Sequence, residues 1–186
     1  VVTWSNNSSS QTWSGGCSNK ITVTFTATDE CGNSSTTVAD FIIRDTTKPY
    51  ITDQAGDLTV ECDGLGNTVN LTDWLNSNGG ATAGDVCSNV IWTNDFTTLS
   101  DDCGATGSAT VVFTATDGCG NSSTTTGVFT IADTTSPTIG TAARDTTVEC
   151  DGSGNASALA AWLSANGNAS ASDVCSGTVT WTNNYT

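Results

Sequence analysis

The chain has no histidine and no methionine, and its 19 acidic residues face only 4 basic ones. Without histidine, no Ser-His-Asp or Cys-His nucleophilic arrangement can be assembled from its own residues. The same lack, with no two cysteines in a C-x-x-C pair, removes the usual zinc ligand sets. A formal net charge of −15 repels nucleic acid and anionic lipid alike. No apolar run reaches the length of a membrane span, which excludes direct membrane insertion by a helix, and neither a starting methionine nor a signal peptide opens the sequence. A carboxylate-pair hydrolase survives these exclusions, but no pattern sets an acid and a base across a cleft. The chain therefore reads as a non-enzyme.

What is present points outside the cell. Eight widely spaced cysteines read as disulfides and hence an oxidising compartment, extracellular or at the cell surface. The sequence also repeats itself. "TATDECGNSS" from Thr26 returns as "TATDGCGNSS" from Thr114, and Cys31, Cys62 and Cys87 return as Cys119, Cys150 and Cys175 at a period of about 88 residues. Cys17 falls on Cys103, Trp74 on Trp162, and Trp4, Trp92 and Trp181 mark three appearances of one strand. This predicts the rear half of one repeat (1–47), a complete repeat (48–136) and the front half of a third (137–186). The simplest account is a window of a longer array; the alternative is a filament subunit whose ends complete each other by strand exchange.

Within a repeat, "ITVTFTATD" alternates Ile21, Val23, Phe25 and Ala27 with threonines, the period of a half-buried strand. Val111, Phe113 and Ala115 do the same in the second copy. "DFIIRD" and "VFTIAD" supply partner strands, and "LTVEC" and "VIWTNDF" two more. Leu71, Trp74 and Leu75, like Leu159, Trp162 and Leu163, stand at i, i+3, i+4, which predicts a short helix stopped by Gly79 or Gly167. The fold class expected is all-β: tandem antiparallel β-sandwich repeats, each with a short helical insertion, with the tryptophans in the core and only Trp13 lacking a counterpart. Nearest-neighbour pairing gives Cys17–Cys31, Cys62–Cys87, Cys103–Cys119 and Cys150–Cys175, with Cys87–Cys103 and Cys31–Cys62 as the rival connectivity.

"VTFTATDECGNSS", the closing "FIIRDTTKP" and the preceding tryptophan strand resemble hyalin repeats and related bacterial immunoglobulin-like repeats, which occur in very long surface proteins, notably of Bacteroidota. The resemblance covers essentially the whole chain and implies an Ig-like sandwich with an adhesive or scaffolding role. The helical insertion and the "VECDG" cysteine depart from the animal version.

Six carboxylates recur between the copies: Asp29/Asp117, Asp45/Asp133, Asp57/Asp145, Glu61/Glu149, Asp63/Asp151 and Asp85/Asp173. On an Ig-like sandwich, Asp45, Glu61, Asp63, Asp85 and Asp117 gather at one junction between repeats, and Asp133, Glu149, Asp151 and Asp173 at the next. Acids without basic partners repel one another, and Ca²⁺ with its six to eight oxygen ligands relieves that repulsion. Calcium is thus one expectation; turn-forming Asx residues are the other. Glycosylation is expected among the sequons Asn33, Asn70, Asn121 and Asn155 and the Asp-Thr-Thr threonines Thr46, Thr134 and Thr146. Together these describe a structural repeat of an adhesin, stalk or filament, partnered by adjacent repeats or copies of itself. A carbohydrate-binding module that meets surface glycans through exposed aromatics is the competing reading.

Overall fold

The structure is a computed structural model that describes residues 1–12 and 16–186; Trp13 lies outside them. It is mostly β-sheet. In chain order its elements are β1 (Thr3–Asn6), β2 (Ser18–Thr28), β3 (Ser34–Arg44), β4 (Tyr50–Asp53), β5 (Leu58–Glu61), α1 (Thr68–Asn76), β6 (Thr82–Gly84), β7 (Ile91–Asn94), β8 (Gly107–Thr116), β9 (Ser122–Ala132), β10 (Thr138–Thr141), α2 (Ala156–Ser164) and β11 (Ser170–Ser172). Two compact units divide them. One comprises Val1–Ala55, Gly80–Asn94 and Val112–Thr125; the other comprises Gly56–Gly79, Asp95–Val111 and Thr126–Thr186.

In the first unit, β1, β2 and β3 form an antiparallel sheet in that order. The long threonine-rich alternation of β2 lets it pair with β3 along its whole length, from Ser18 opposite Arg44 to Thr28 opposite Ser34. Val23 is buried as the alternation predicts, but β3 is exposed throughout. Trp4, expected in the core, is 68% exposed although it stands in register with Ala27. β4 pairs with β6 across a register shift between Ile51 and Asp53, and β7 pairs with β8, setting Trp92 opposite Ala115. Phe113 and Ala115 of β8 are fully buried.

In the second unit, β5 runs parallel to β9, from Leu58 opposite Phe129 to Glu61 opposite Ala132. This departs from an all-antiparallel sandwich, and the long intervening chain supplies the crossover that a parallel pair needs. Helix α1 uses Trp74 as its anchor: the side chain is buried, its ring centroid lies 5.6 Å from that of Phe129, and its indole N–H donates to the Gly56 carbonyl at 3.1 Å. The residues predicted to stop the two helices sit in left-handed conformation, Gly79 and Gly167 both at φ 65°. A Cβ on Gly167 would meet Ala143 at 3.0 Å and Trp162 at 3.4 Å. β10 and β11 pair as β4 and β6 do. The segment around Trp181 forms no strand, whereas Trp4 and Trp92 each lie in a strand that pairs with the long strand following it, β2 and β8.

The disulfides correct the expected connectivity. Cys17 bonds Cys119 in the first unit and Cys62 bonds Cys175 in the second, with Cα atoms 5.0 and 6.0 Å apart. Neither Cys17–Cys31, Cys62–Cys87, Cys103–Cys119 nor Cys150–Cys175 forms, and neither do Cys87–Cys103 and Cys31–Cys62; Cys31, Cys87, Cys103 and Cys150 are free and exposed. Strand length explains the failure of two of these pairs. Cys17 and Cys31 flank the 11 residues of β2, an extended span of roughly 35 Å, whereas a disulfide needs Cα atoms within about 7 Å. Cys103 and Cys119 flank β8 in the same way.

Candidate functional site

Four loops share the spelling D-x-x-x-N, and the aspartate organises each one. Asp117 Oδ1 accepts the N–H groups of Cys119 and Asn121 at 2.8 and 2.9 Å, and its Oδ2 accepts the Asn121 amide at 2.8 Å. Asp29 makes the same set with Cys31 and Asn33. Asp63 Oδ1 accepts from the N–H groups of Leu65 and Asn67, and Asp151 Oδ1 from those of Ser153 and Asn155. Asn67 and Asn155 then open the helices from left-handed conformation, at φ 47° and 56°, a geometry that asparagine tolerates. These are Asx turns, so the turn reading holds for Asp29, Asp63, Asp117 and Asp151.

Such bonding favours the ionised carboxylate. Burial works to raise the pKa of Asp117, but the bonds from Asn121, Cys119 and Gly120 outweigh it and the net shift is downward. Bonds from Asn33 and from Asn67 hold Asp29 and Asp63 below the ordinary range, those from Ser153 and Asn155 lower Asp151, and those from Thr134 and Thr135 lower Glu61. For depressed carboxylates, the stabilisation is present above the unfolded pKa and lost as pH falls through the folded one. The urea midpoint is therefore expected to be flat from pH 8 to about 5 and to fall progressively below about pH 4. A midpoint that rises on acidification would contradict these bonds.

Three acids of the first unit converge. The end of β3 delivers Asp45, the β6–β7 connection Asp85, and the β8–β9 turn Asp117. A carboxylate oxygen of Asp45 lies within 4.8 Å of one from Asp85, and likewise of one from Asp117. The local turns use Oδ1 of Asp45, bonded by Thr47 N–H at 3.1 Å, and Oδ1 of Asp85, bonded by the N–H groups of Cys87 and Ser88. Asp45 Oδ2 and Asn19 Oδ1 are shut from solvent with no hydrogen-bond partner among the described residues. Both residues line one cavity of about 460 Å³, with Cys17, Cys87, Ser88 and Cys119 among its other walls. The Cys119 sulfur is committed to its disulfide. Burial, and then the charges of Asp45, Asp85 and Asp117, push the Cys87 thiol up, which keeps it protonated. The unspent donors are therefore oxygens, the set a hard cation takes.

In the second unit, Asp133 and Asp173 converge beside Cys175 within the same 4.8 Å limit. Glu61 and Asp63 do not join Asp45: Glu61 accepts from Thr134 N–H, Thr134 Oγ1 and Thr135 Oγ1 at 3.0, 2.7 and 2.8 Å, and Asp63 serves its turn. Glu149 and Asp151 belong to no such group among the described residues. Asn19, which no repeated spacing marks, is the residue that sequence reasoning missed. Of the glycosylation candidates, Asn33, Asn121 and Asn155 spend their side-chain amides inside loops, and Thr134 donates its hydroxyl to Glu61. Asn70, Thr46 and Thr146 stand exposed.

No protein-family model matches this chain, and no curated protein matches it in sequence.

Proposed function

We propose that this chain is a structural, non-catalytic segment of an extracellular adhesin, stalk or filament, built of tandem Ig-like repeats of about 88 residues and stiffened where one repeat meets the next. The disulfides carry this reading. Cys17–Cys119 and Cys62–Cys175 are separated by 102 and 113 residues, more than one repeat length, so each bond staples one repeat to its successor. Matched elements support the repeat: β4, α1 and β6 have their counterparts in β10, α2 and β11, and Trp74 donates to the Gly56 carbonyl as Trp162 does to that of Arg144. Among the described residues no helix is long and apolar enough to cross a membrane.

Electron microscopy before and after reduction tests the reading. Rods of uniform length that become bent or beaded with a thiol reductant are expected. Flexible chains in both states would refute it.

Calcium at the junction belongs to the same proposal, with Asp45, Asp85 and Asp117 as carboxylate ligands and Asn19 Oδ1 as a neutral one, supported by the two buried unpartnered oxygens. Asp133 and Asp173 hold the corresponding place in the second unit. A ligand that binds only the folded state at one hundred times its Kd stabilises by about 2.7 kcal/mol. Millimolar Ca²⁺ is expected to raise the melting temperature by several degrees, Mg²⁺ much less, and Asp45→Asn to abolish most of the rise. Equal melting curves with Ca²⁺ and with chelator would leave these aspartates as turn formers only.

A further inference from the structure

The second unit contains a contact too close for any side chain. Gly104, at φ 64°, lies in the turn before β8. A Cβ placed on it would overlap the Cys175 carbonyl oxygen and stand 3.0 Å from the carbonyl carbon and 3.3 Å from Ser176 Cα. The next residue completes the contact, since the Ala105 N–H donates to that same Cys175 carbonyl at 2.9 Å. Gly64, at φ 73° in the loop after β5, meets the same turn one residue earlier, where a Cβ would come within 2.6 Å of the Val174 carbonyl oxygen. Two separate loops therefore close backbone to backbone on one short turn, which only glycine permits.

Each side of the contact is shaped by its own bonds. Thr106 donates to the Cys103 carbonyl through Oγ1 at 2.7 Å and through N–H at 3.2 Å, which fixes the turn around Gly104. Asp63 Oδ1 fixes the loop around Gly64. Opposite them, Asp173 Oδ1 accepts the N–H groups of Cys175 and Ser176, both at 2.9 Å. Asp85 builds the same turn with Cys87 and Ser88, under the same D-V-C-S spelling. The turn is thus a recurring part of the chain, and the two glycines fit its backbone outline.

We infer that Gly64 and Gly104 form a docking seat for the D-V-C-S turn of the following repeat, and that this seat selects Cys175 as the partner of Cys62. Cys87 and Cys103 stand nearer to Cys62 in sequence, and loop-closure entropy alone favours them, yet neither is bonded to it. Cys62 precedes Gly64 by two residues and its sulfur lies 3.6 Å from the Ala105 carbonyl oxygen, so seat and bond share one place. With the turn seated, Cys62 and Cys175 meet at a high effective concentration. Their two thiols pass two electrons and two protons to oxidised glutathione, which leaves as two molecules of reduced glutathione. Both cysteines end up buried.

The inference deepens the structural-repeat reading and rests on it for assigning the turn to a following repeat, but its test reads cysteine pairing, not shape. Gly104→Ala and Gly64→Ala are compared with Gly152→Ala. Gly152 sits at φ 74° in the counterpart loop with nothing among the described residues within 4 Å of its Cβ position, so its variant carries the backbone strain without the contact. Each full chain is reduced, unfolded and refolded in a glutathione redox buffer, and its disulfides are mapped by peptide mass spectrometry. In the two seat variants the ratio of the Cys62–Cys175 bond to open thiols is expected to fall about ten-fold, the scale of one extra methyl group forced into a filled contact. The Cys17–Cys119 bond should keep its level, and Gly152→Ala should match the unsubstituted chain in both bonds. Undiminished Cys62–Cys175 pairing in the seat variants, an equal loss in Gly152→Ala, or a parallel loss of Cys17–Cys119 would overturn the inference. Flexible chains in the microscope together with the expected pairing would instead remove the rod and leave the seat.

Discussion

The paired substitution Cys62→Ser, Cys175→Ser is expected to lower the unfolding free energy by roughly 4–5 kcal/mol, the largest single effect predicted for this chain. The bond closes a stretch of 113 residues, and in the chain-entropy picture a loop of about that length restricts the unfolded ensemble by close to 4.7 kcal/mol. Both sulfurs are removed together so that neither is left as a newly unpaired thiol. Cys62 and Cys175 are both buried, so some packing is lost as well. A urea titration followed by far-UV circular dichroism reads the change as a shift in midpoint of about 2 M, for a slope near 2 kcal/mol per M. Cys150→Ser in the same chain should leave the midpoint unmoved, because Cys150 is free and exposed. Equal losses from the two variants would mean that Cys150, not Cys62, holds Cys175.

Second in size is Trp74→Ala, expected to cost about 3–5 kcal/mol. Trp74 is 5% exposed, stacks at a tilt on the fully buried Phe129 and satisfies the Gly56 carbonyl. Truncation would open a large cavity against Phe129 and leave that carbonyl without its donor. Trp74→Phe keeps most of the ring and should cost only about 1–2 kcal/mol, mainly for the lost hydrogen bond. Trp162 makes the matching bond to the Arg144 carbonyl at 3.0 Å, yet its side chain is only half-buried. Trp162→Ala should therefore cost well under half as much in the isolated chain. If both alanine variants unfold at the same urea concentration, α1 owes its stability to something other than the Trp74–Phe129 contact.

These two experiments probe features of unequal legibility. The helix and its anchor could be read directly: Leu71, Trp74 and Leu75 at helical spacing, closed by a glycine, need only local geometry to be recognised. The inner face of β8 was equally open, since strict alternation places Val111, Phe113 and Ala115 together, and all three are fully buried. Strands β4, β6, β10 and β11 escaped, because three or four residues carry no period and the pairing itself holds them. The parallel ladder of β5 on β9 escaped for a related reason: its partners are far apart in sequence and no local spacing encodes the match.

The disulfides are the instructive failure. Nearest-neighbour pairing weighs only the entropy of closing a loop, and that criterion favours Cys17 with Cys31. The alternation from Ile21 to Ala27 already implied an extended segment between them, so the strand reading contradicted the pairing within the same stretch of sequence. The site divided likewise. Asp63 and Asp151 announced their turns through D-G-x-G-N, whereas Asn19 sits in a polar stretch with nothing to set it apart, and only the folded chain reveals its buried oxygen.

The two disulfide spans also overlap. One runs from Cys17 to Cys119 and the other from Cys62 to Cys175, so every peptide bond from residue 17 to residue 175 lies inside at least one closed ring. A protease that cuts the backbone once anywhere in that interval separates nothing, because a sulfur bridge still joins the two sides of the cut. Between positions 62 and 119, two bridges do so. Material built this way tolerates nicks as a knitted fabric with locked stitches tolerates a broken thread: the damage stays where it falls, and the strand does not run.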